Sequence, residues 1–329
     1  MAKVLVTGAS GFTGSQLANE LARRGNSVRA LVRKTSDLKL LDQQHENLQL
    51  VYGDLRDEVS IDNAIAGVDH VYHVGALYRV AKHPDQTYWD VNVGGTKHVL
   101  EASAKHDVSR VLHCSTIGVH GGVDEIPANE DSAFSPSDIY QITKLEGEKL
   151  ASQAIQNGQP VSVVRPAGIY GPGDLRFLKL FSMVKSGRFV MFGSGNTFMH
   201  MVFIDDLVHG MIQAVEHPDG VGKTMILAGD EYVTLNKLVS LVAAATTSPH
   251  RTWKLPMWPL MAAATMCEFA CKPVGIEPPL HRRRAAFFTK NRAFSIERAR
   301  QAIGYEPQIG LAVGLGRTAD WYLKNKLLP

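Results

Sequence analysis

Tyr140 and Lys144 lie four residues apart in Tyr140-Gln141-Ile142-Thr143-Lys144, one helical turn from each other if the segment is helical. A free phenol keeps its proton until a pH near ~10. An ammonium one turn away favours the phenolate and brings proton exchange closer to neutrality. Such a pair suits acid–base work at an alcohol or ketone carbon, and that chemistry needs a hydride carrier beside it. Near the N-terminus, Gly8, Gly11 and Gly14 have the GxxGxxG spacing of a dinucleotide loop. One glycine makes the tight turn, one admits the pyrophosphate, and one lets helix and strand pack closely. Ser10, Phe12 and Thr13 complete that loop, and the N–H groups of the following helix attract phosphate.

The end of the second strand selects the dinucleotide. A carboxylate there would bind the ribose 2′-hydroxyl of NAD, and a cation the 2′-phosphate of NADP. The residues are Val32-Arg33-Lys34, with no carboxylate before Asp37. Arg33 as a phosphate partner favours NADP, with NAD as the other choice and a solvated arginine as the plain alternative. Asp54 and Leu55 close the third strand, where a carboxylate can accept from the adenine amino group and leucine can pack on the ring. A turn aspartate is the simpler account of Asp54. Val74, Gly75 and Ala76 close the fourth strand and are further cofactor candidates.

These residues need a sheet to hold them. Apolar runs predict strands over 4–7, 28–32, 48–52, 70–74, 111–115 and 161–165, with helices following 4–7 and over 59–66, 90–106 and 139–156. The alternation calls for an α/β fold, a doubly wound parallel sheet (Rossmann). Residues 1–166 form the dinucleotide-binding domain in this reading. Pro166, Gly168, Gly171, Pro172 and Gly173 then break the rhythm. Residues 167–329 read mainly as a smaller substrate lobe, with short strands (202–204, 225–227), helices (206–216, 235–244) and some segments returning to the first domain.

The 329 residues are 45% hydrophobic and 20% charged, an ordinary globular composition, and a net charge of +3 is too small to imply nucleic acid. Cys114, Cys267 and Cys271 show neither disulfide nor zinc spacing, and His73, His113 and His120 no metal-ligand spacing. The first residues, Met1 to Val6, run directly into the glycine loop, so no leader peptide and a cytoplasmic location are expected.

The ordered motifs resemble the extended short-chain dehydrogenases/reductases. They are the glycine loop, Asp54-Leu55, Val91-Asn92-Val93-Gly94-Gly95-Thr96, Ser115-Thr116, Tyr140/Lys144, and Arg165-Pro166 through Tyr170-Gly171-Pro172. The likeness extends over nearly the whole chain. It is nearest to the branch of 3β-hydroxysteroid dehydrogenases and dihydroflavonol reductases. The resemblance implies that Tyr140 is the acid/base and that Lys144 tunes it and holds the nicotinamide ribose. It implies that Thr116, with Ser115 alongside, orients the substrate oxygen and that Asn92 supports the site. Pro166 and Ile169 are carried over as cofactor contacts, and a homodimer is a further family expectation.

For the substrate, Met199 stands where sugar-nucleotide enzymes of this family carry an arginine, which points to an apolar small molecule. Steroid-like, flavonoid-like and 3-oxoacyl compounds are the candidates, with Arg282–Arg284 as another place for a diphosphate. Residues 255–270 are too short and too interrupted to span a bilayer. They read first as a buried helix over the pocket and second as an interfacial helix meeting a membrane surface. The expected activity is an NAD(P)-dependent interconversion of a secondary alcohol and a ketone. The alternatives are a nucleotide-sugar epimerase using the same threonine, tyrosine and lysine, and a dinucleotide-sensing protein without turnover.

Overall fold

In the computed structural model, which describes residues 1–78, 83–249, 252–271 and 287–328, seven parallel strands make the central sheet. They are β1 (Lys3–Thr7), β2 (Ser27–Val32), β3 (Leu48–Tyr52), β4 (His70–His73), β5 (Arg110–Cys114), β6 (Val161–Pro166) and β10 (Thr224–Leu227). Their order across the sheet is β10-β6-β5-β4-β1-β2-β3. It reverses between β1 and β4, and in open parallel sheets ligands bind in the crevice beyond the strands' carboxyl ends at such a point.

Successive strand residues point to opposite faces, and both faces are apolar because helices cover both. On one, Leu5, Val71 and Val111 meet Ile61 of α2 (Glu58–Ile65), Val99 of α4 (Gly95–Lys105) and Ala151 of α5 (Ile139–Gln156). On the other, Val4, Val6 and Leu112 meet Leu17 and Leu21 of α1 (Phe12–Arg23) and Val208 of α7 (Ile204–Glu216). Asp138 starts α5 where the sequence suggests, its carboxylate accepting from the Gln141 N–H.

Two expectations change, and the segment returning to the first domain is identified. The helix expected over 90–106 begins earlier, as α3 (Asp85–Tyr88), and passes through a π-helical turn, Trp89–Gly94, before α4. One extra residue per hydrogen-bonded ring widens the helix there, which a repeat-based reading cannot show. The strand expected at 225–227 belongs to the central sheet, paired with β6 from Thr224↔Val163 to Leu227↔Pro166. The remaining strands beyond residue 166 form two small sheets. One joins β7 (Gly168–Tyr170), β9 (Phe198–Phe203) and β11 (Tyr232–Thr234); the other joins β8 (Val190–Phe192) to β12 (Trp253–Leu255).

The other change concerns 255–270. Its helix α9 (Met257–Cys271) is not a buried cover: Trp258 is 71%, Met266 72% and Phe269 82% exposed, with Ala264 fully buried. A helix that is apolar on every side leaves apolar groups outside wherever one side docks. No helix among the described residues is long and apolar enough to cross a membrane. Arg282–Arg284 lie outside the described residues.

Candidate active site

At the switch point the backbones of two strand ends meet directly. Gly8 has φ +68°, and a side chain there would bring its Cβ within 2.6 Å of the Gly75 Cα. That contact sets the loop after β1 against Val74-Gly75-Ala76 after β4. A Cβ on Gly14 would overlap the Gly8 carbonyl oxygen, so α1 seats against the loop with no room to spare. Gly11 is exposed and precedes α1 with no side-chain cap, and the first turn carries no acidic residue. A bare helix N-terminus faced by a residue without Cβ fits a pyrophosphate. Ser10, Phe12 and Thr13 lie half-buried at that end, Val74 and Ala76 half-buried beside Gly75. Pro166 is buried at the end of β6, and Ile169 half-buried in β7.

Arg33 is exposed immediately past β2, and its backbone N–H donates to the Ser36 hydroxyl at 3.0 Å. The Asp54 carboxylate is gripped by Arg56, Nε to Oδ1 at 3.0 Å and Nη2 to Oδ2 at 2.7 Å. Those bonds hold its pKa below the usual carboxylate value, with a smaller contribution from the Arg33 charge. Leu55 is a wedge as well as a candidate adenine platform. Side chains on Gly75 and Gly95 would come within 2.9 and 2.7 Å of its carbons.

Tyr140 is half-buried in the first turn of α5, its ring edge-on to Tyr78 with centroids 4.9 Å apart. Lys144, one turn on, is only 2% exposed, and its Nζ donates to the Cys114 carbonyl at 2.6 Å. Burial pushes its pKa down, opposed by the Cys114 and Glu148 side chains. Thr116 is half-buried just past β5, and its Oγ1 accepts from the Gly118 N–H at 3.0 Å. A side chain on Gly118 would meet both Thr116 Oγ1, at 3.2 Å, and Gln141 Cγ, at 3.3 Å. The absent Cβ therefore lets the threonine stand against the turn of α5 that carries Tyr140.

Ser115 does something else. Its hydroxyl is buried and donates to Glu148 Oε2 in a very short hydrogen bond. Glu148 also accepts from Arg165 Nε at 3.1 Å and Nη2 at 2.5 Å, and Arg165 Nη1 reaches the Glu130 carbonyl at 2.7 Å. Serine and threonine are thus not interchangeable here: Ser115 belongs to a buried ion pair that ties α5 to β6. Sequence reading missed Glu148, although its place one turn after Lys144 was a usable signal.

A hydrogen-bonded chain links the two halves of the site. Thr7 Oγ1 accepts from the Gly75 N–H at 3.0 Å and lies 2.9 Å from His73 Nδ1. His73 Nε2 lies 3.0 Å from Thr96 Oγ1, which donates to the Asn92 carbonyl at 2.7 Å. These partners assign His73 as the neutral Nε2–H tautomer. Burial, helped by the Lys144 charge, pushes its pKa down to about 3. Asn92, in the π turn and 1% exposed, accepts from the Leu77 N–H at 2.7 Å. It donates to the Leu77 carbonyl at 3.2 Å and to Thr143 Oγ1 at 3.0 Å. Asn92 therefore braces α5 against the chain leaving β4.

Met199 in β9 is buried, and the Arg292 Nη1 lies 3.9 Å from its sulfur. A guanidinium does reach this place, from 93 residues further along the chain. No sequence window around Met199 could reveal it.

Comparison with known proteins places the chain in a family. Residues 4–229 match the family described as "NAD dependent epimerase/dehydratase family". The chain is 31% identical to a 3-beta-hydroxysteroid dehydrogenase of Mycolicibacterium neoaurum, over 98% of this chain and 92% of that one. It is 30% identical to a 2-alkyl-3-oxoalkanoate reductase of Stenotrophomonas maltophilia, over 96% and 98%. The crystal structure of gox2253 superposes with a TM-score of 0.85 at 28% identity, covering 100% of both chains.

Proposed function

Because this chain belongs to the NAD dependent epimerase/dehydratase family and is an oxidoreductase within it, we propose that it interconverts a secondary alcohol and a ketone on an apolar substrate, with Tyr140 as acid/base. One observation carries the reading. A half-buried tyrosine opens a helix whose next turn buries Lys144 against the end of β5, in the same crevice as a bare glycine-rich helix N-terminus. A bound nicotinamide dinucleotide supplies or accepts the hydride.

The chain's own groups do the rest. Tyr140 delivers its proton to the oxygen that becomes the alcohol and removes it in the reverse direction. Thr116 keeps its own proton to donate, because its oxygen accepts from Gly118, and it orients the substrate oxygen. The buried ammonium of Lys144 favours the tyrosinate and contacts the nicotinamide ribose. Asn92 holds the helix in register. Ser115 keeps a positioning role through Glu148.

Arg33 supports NADP over NAD, since an exposed guanidinium past β2 offers the 2′-phosphate a planar, bidentate partner. The two named relatives act on steroid and 2-alkyl-3-oxoalkanoate compounds, and this chain takes a substrate of comparable apolarity. The exposed Trp258, Met266 and Phe269 suit contact with a lipid surface from which such a substrate is drawn.

The Arg292 guanidinium beside Met199 favours one other reading, a nucleotide-sugar epimerase holding a diphosphate in the second lobe. The two differ spectroscopically. A dehydrogenase changes nicotinamide absorbance in proportion to product, whereas an epimerase retains its dinucleotide and shows no net change. The test is a screen of steroid, flavonoid, 3-oxoacyl and sugar-nucleotide compounds with both reduced cofactors, repeated with Tyr140→Phe. Loss of turnover with cofactor affinity retained is expected; an active Tyr140→Phe variant removes Tyr140 from its role.

A further inference from the structure

Arg176 lies in the turn between β7 and helix α6 (Leu178–Lys185), apart from the glycine-rich loop and the Tyr140 helix. Its Nε donates to Asp174 Oδ1 at 2.5 Å and its Nη2 to the Ile169 carbonyl at 2.9 Å. Asp174 is only 1% exposed and also accepts from the Phe177 N–H, so the guanidinium is oriented by a buried, fixed carboxylate. The head group projects over two rings, its Cζ 5.3 Å from the centroid of Phe12 and 5.9 Å from that of Tyr78. The side chain is 35% exposed, and Nη1 has no hydrogen-bond partner among the described residues.

Phe12 is the first residue of α1, and its backbone N–H is among those left free at that helix end. Tyr78 is the ring that meets Tyr140. Gly173 draws the turn in: with φ +99°, a Cβ there would lie 3.4 Å from Phe12 Cε2. A helix N-terminus and a pre-oriented guanidinium thus converge on one spot from different lobes. Among the described residues the only carboxylate bonded to Arg176 takes Nε, leaving the Nη1 edge for an incoming anion.

We propose that Arg176 closes on the pyrophosphate of the bound dinucleotide, forming a cationic wall opposite the glycine-rich loop. This rests on the dinucleotide reading given above. The nearer ring is Phe12, at the phosphate end of the crevice, and this selects the pyrophosphate over a substrate carboxylate. Arginine suits the place because one edge of its fork can be anchored while the other binds.

The test is the dissociation constant of NADPH and NADH, by fluorescence titration of the wild type, Arg176→Met and Arg176→Lys. A charge-assisted bond to phosphate predicts roughly tenfold to hundredfold weaker binding for Arg176→Met, with Arg176→Lys between. Displacement by ADP and by adenosine separates a phosphate contact from a role in holding the turn. The proposal expects Arg176→Met to lose affinity for ADP and to keep it for adenosine; equal loss of both overturns it. Cofactor affinity within twofold of wild type also overturns it, and a raised KM for carboxylated substrates alone would assign Arg176 to the substrate. If Arg176→Met does not fold, Arg176→Lys with ADP and adenosine decides by the same pattern. A wild type that binds neither dinucleotide refutes the dinucleotide reading itself.

Discussion

Replacing Asn92 by alanine should uncouple the acid/base helix from the chain leaving β4. The substitution deletes three hydrogen bonds: from the Leu77 N–H at 2.7 Å, to the Leu77 carbonyl at 3.2 Å and to Thr143 Oγ1 at 3.0 Å. Thr143 loses least, because its hydroxyl still donates to the Ile139 carbonyl at 2.8 Å. The backbone donor and acceptor of Leu77 lose their partner, at about 1–3 kcal/mol each when no replacement reaches them. Leu77 is only half-buried, so water recovers part of this. A net destabilisation of about 2–4 kcal/mol follows. Tyr78 follows Leu77 and packs edge-on against Tyr140, so slack at Leu77 displaces the phenol. A misplacement of about 1 Å costs on the order of 100-fold in rate, and kcat/KM should fall by roughly 10- to 100-fold. Denaturant unfolding and steady-state kinetics of Asn92→Ala, Thr143→Val and the double variant measure both effects. The cycle should return a coupling of about 0.5–1.5 kcal/mol. A loss below about 0.5 kcal/mol with unchanged kcat/KM would refute the bracing role.

Arg33→Asp should move cofactor preference from NADP toward NAD by at least about tenfold, one charge-assisted phosphate bond being worth roughly that; an unchanged ratio of the two Kd values counts against the 2′-phosphate assignment. Stability should fall on acidification, because folded His200, held to about 4 chiefly by burial, refuses the proton that its unfolded counterpart accepts below about 6.5. The loss develops as pH drops from about 6.5 to 4 and amounts to roughly 3 kcal/mol for this residue. His73, held to about 3, adds to it. Urea midpoints across that range should show a shallower slope for His200→Gln, and an unchanged slope would clear His200 of the effect. Trp258→Ser with Phe269→Ser should abolish co-sedimentation with phosphatidylglycerol vesicles; no sedimentation of the wild type, or equal sedimentation of both, rejects lipid contact.

Much of the central sheet was legible in the chain itself. Strand and helix periodicities are local, and buried parallel strands are short apolar runs bounded by turns, so β1 to β6 and α5 lie where the pattern puts them. The GxxGxxG loop and the Tyr140/Lys144 spacing were legible for the same reason, since only three or four residues separate successive groups in each. The π turn at Trp89–Gly94 was not, because it adds a residue without altering the types on either side. Neither was the exposure of α9, since an apolar run looks the same whether or not other groups cover it.

Side chains brought together from far along the chain were decided by tertiary structure alone. Ser115 and Thr116 are neighbours of similar chemistry just past β5, yet one is committed to Glu148 in the middle of α5 and the other stands against Gln141 in the first turn of the same helix. Arg292 reaches Met199, and Arg176 reaches Phe12 and Tyr78, across separations that no residue pattern encodes. The residue types capable of hydride-linked proton transfer are written in order along the chain. Which of them share a crevice, and which only hold its walls, depends on how helices dock on the sheet, because hydrogen bonds and charges act over a few ångströms of space whatever their spacing in sequence.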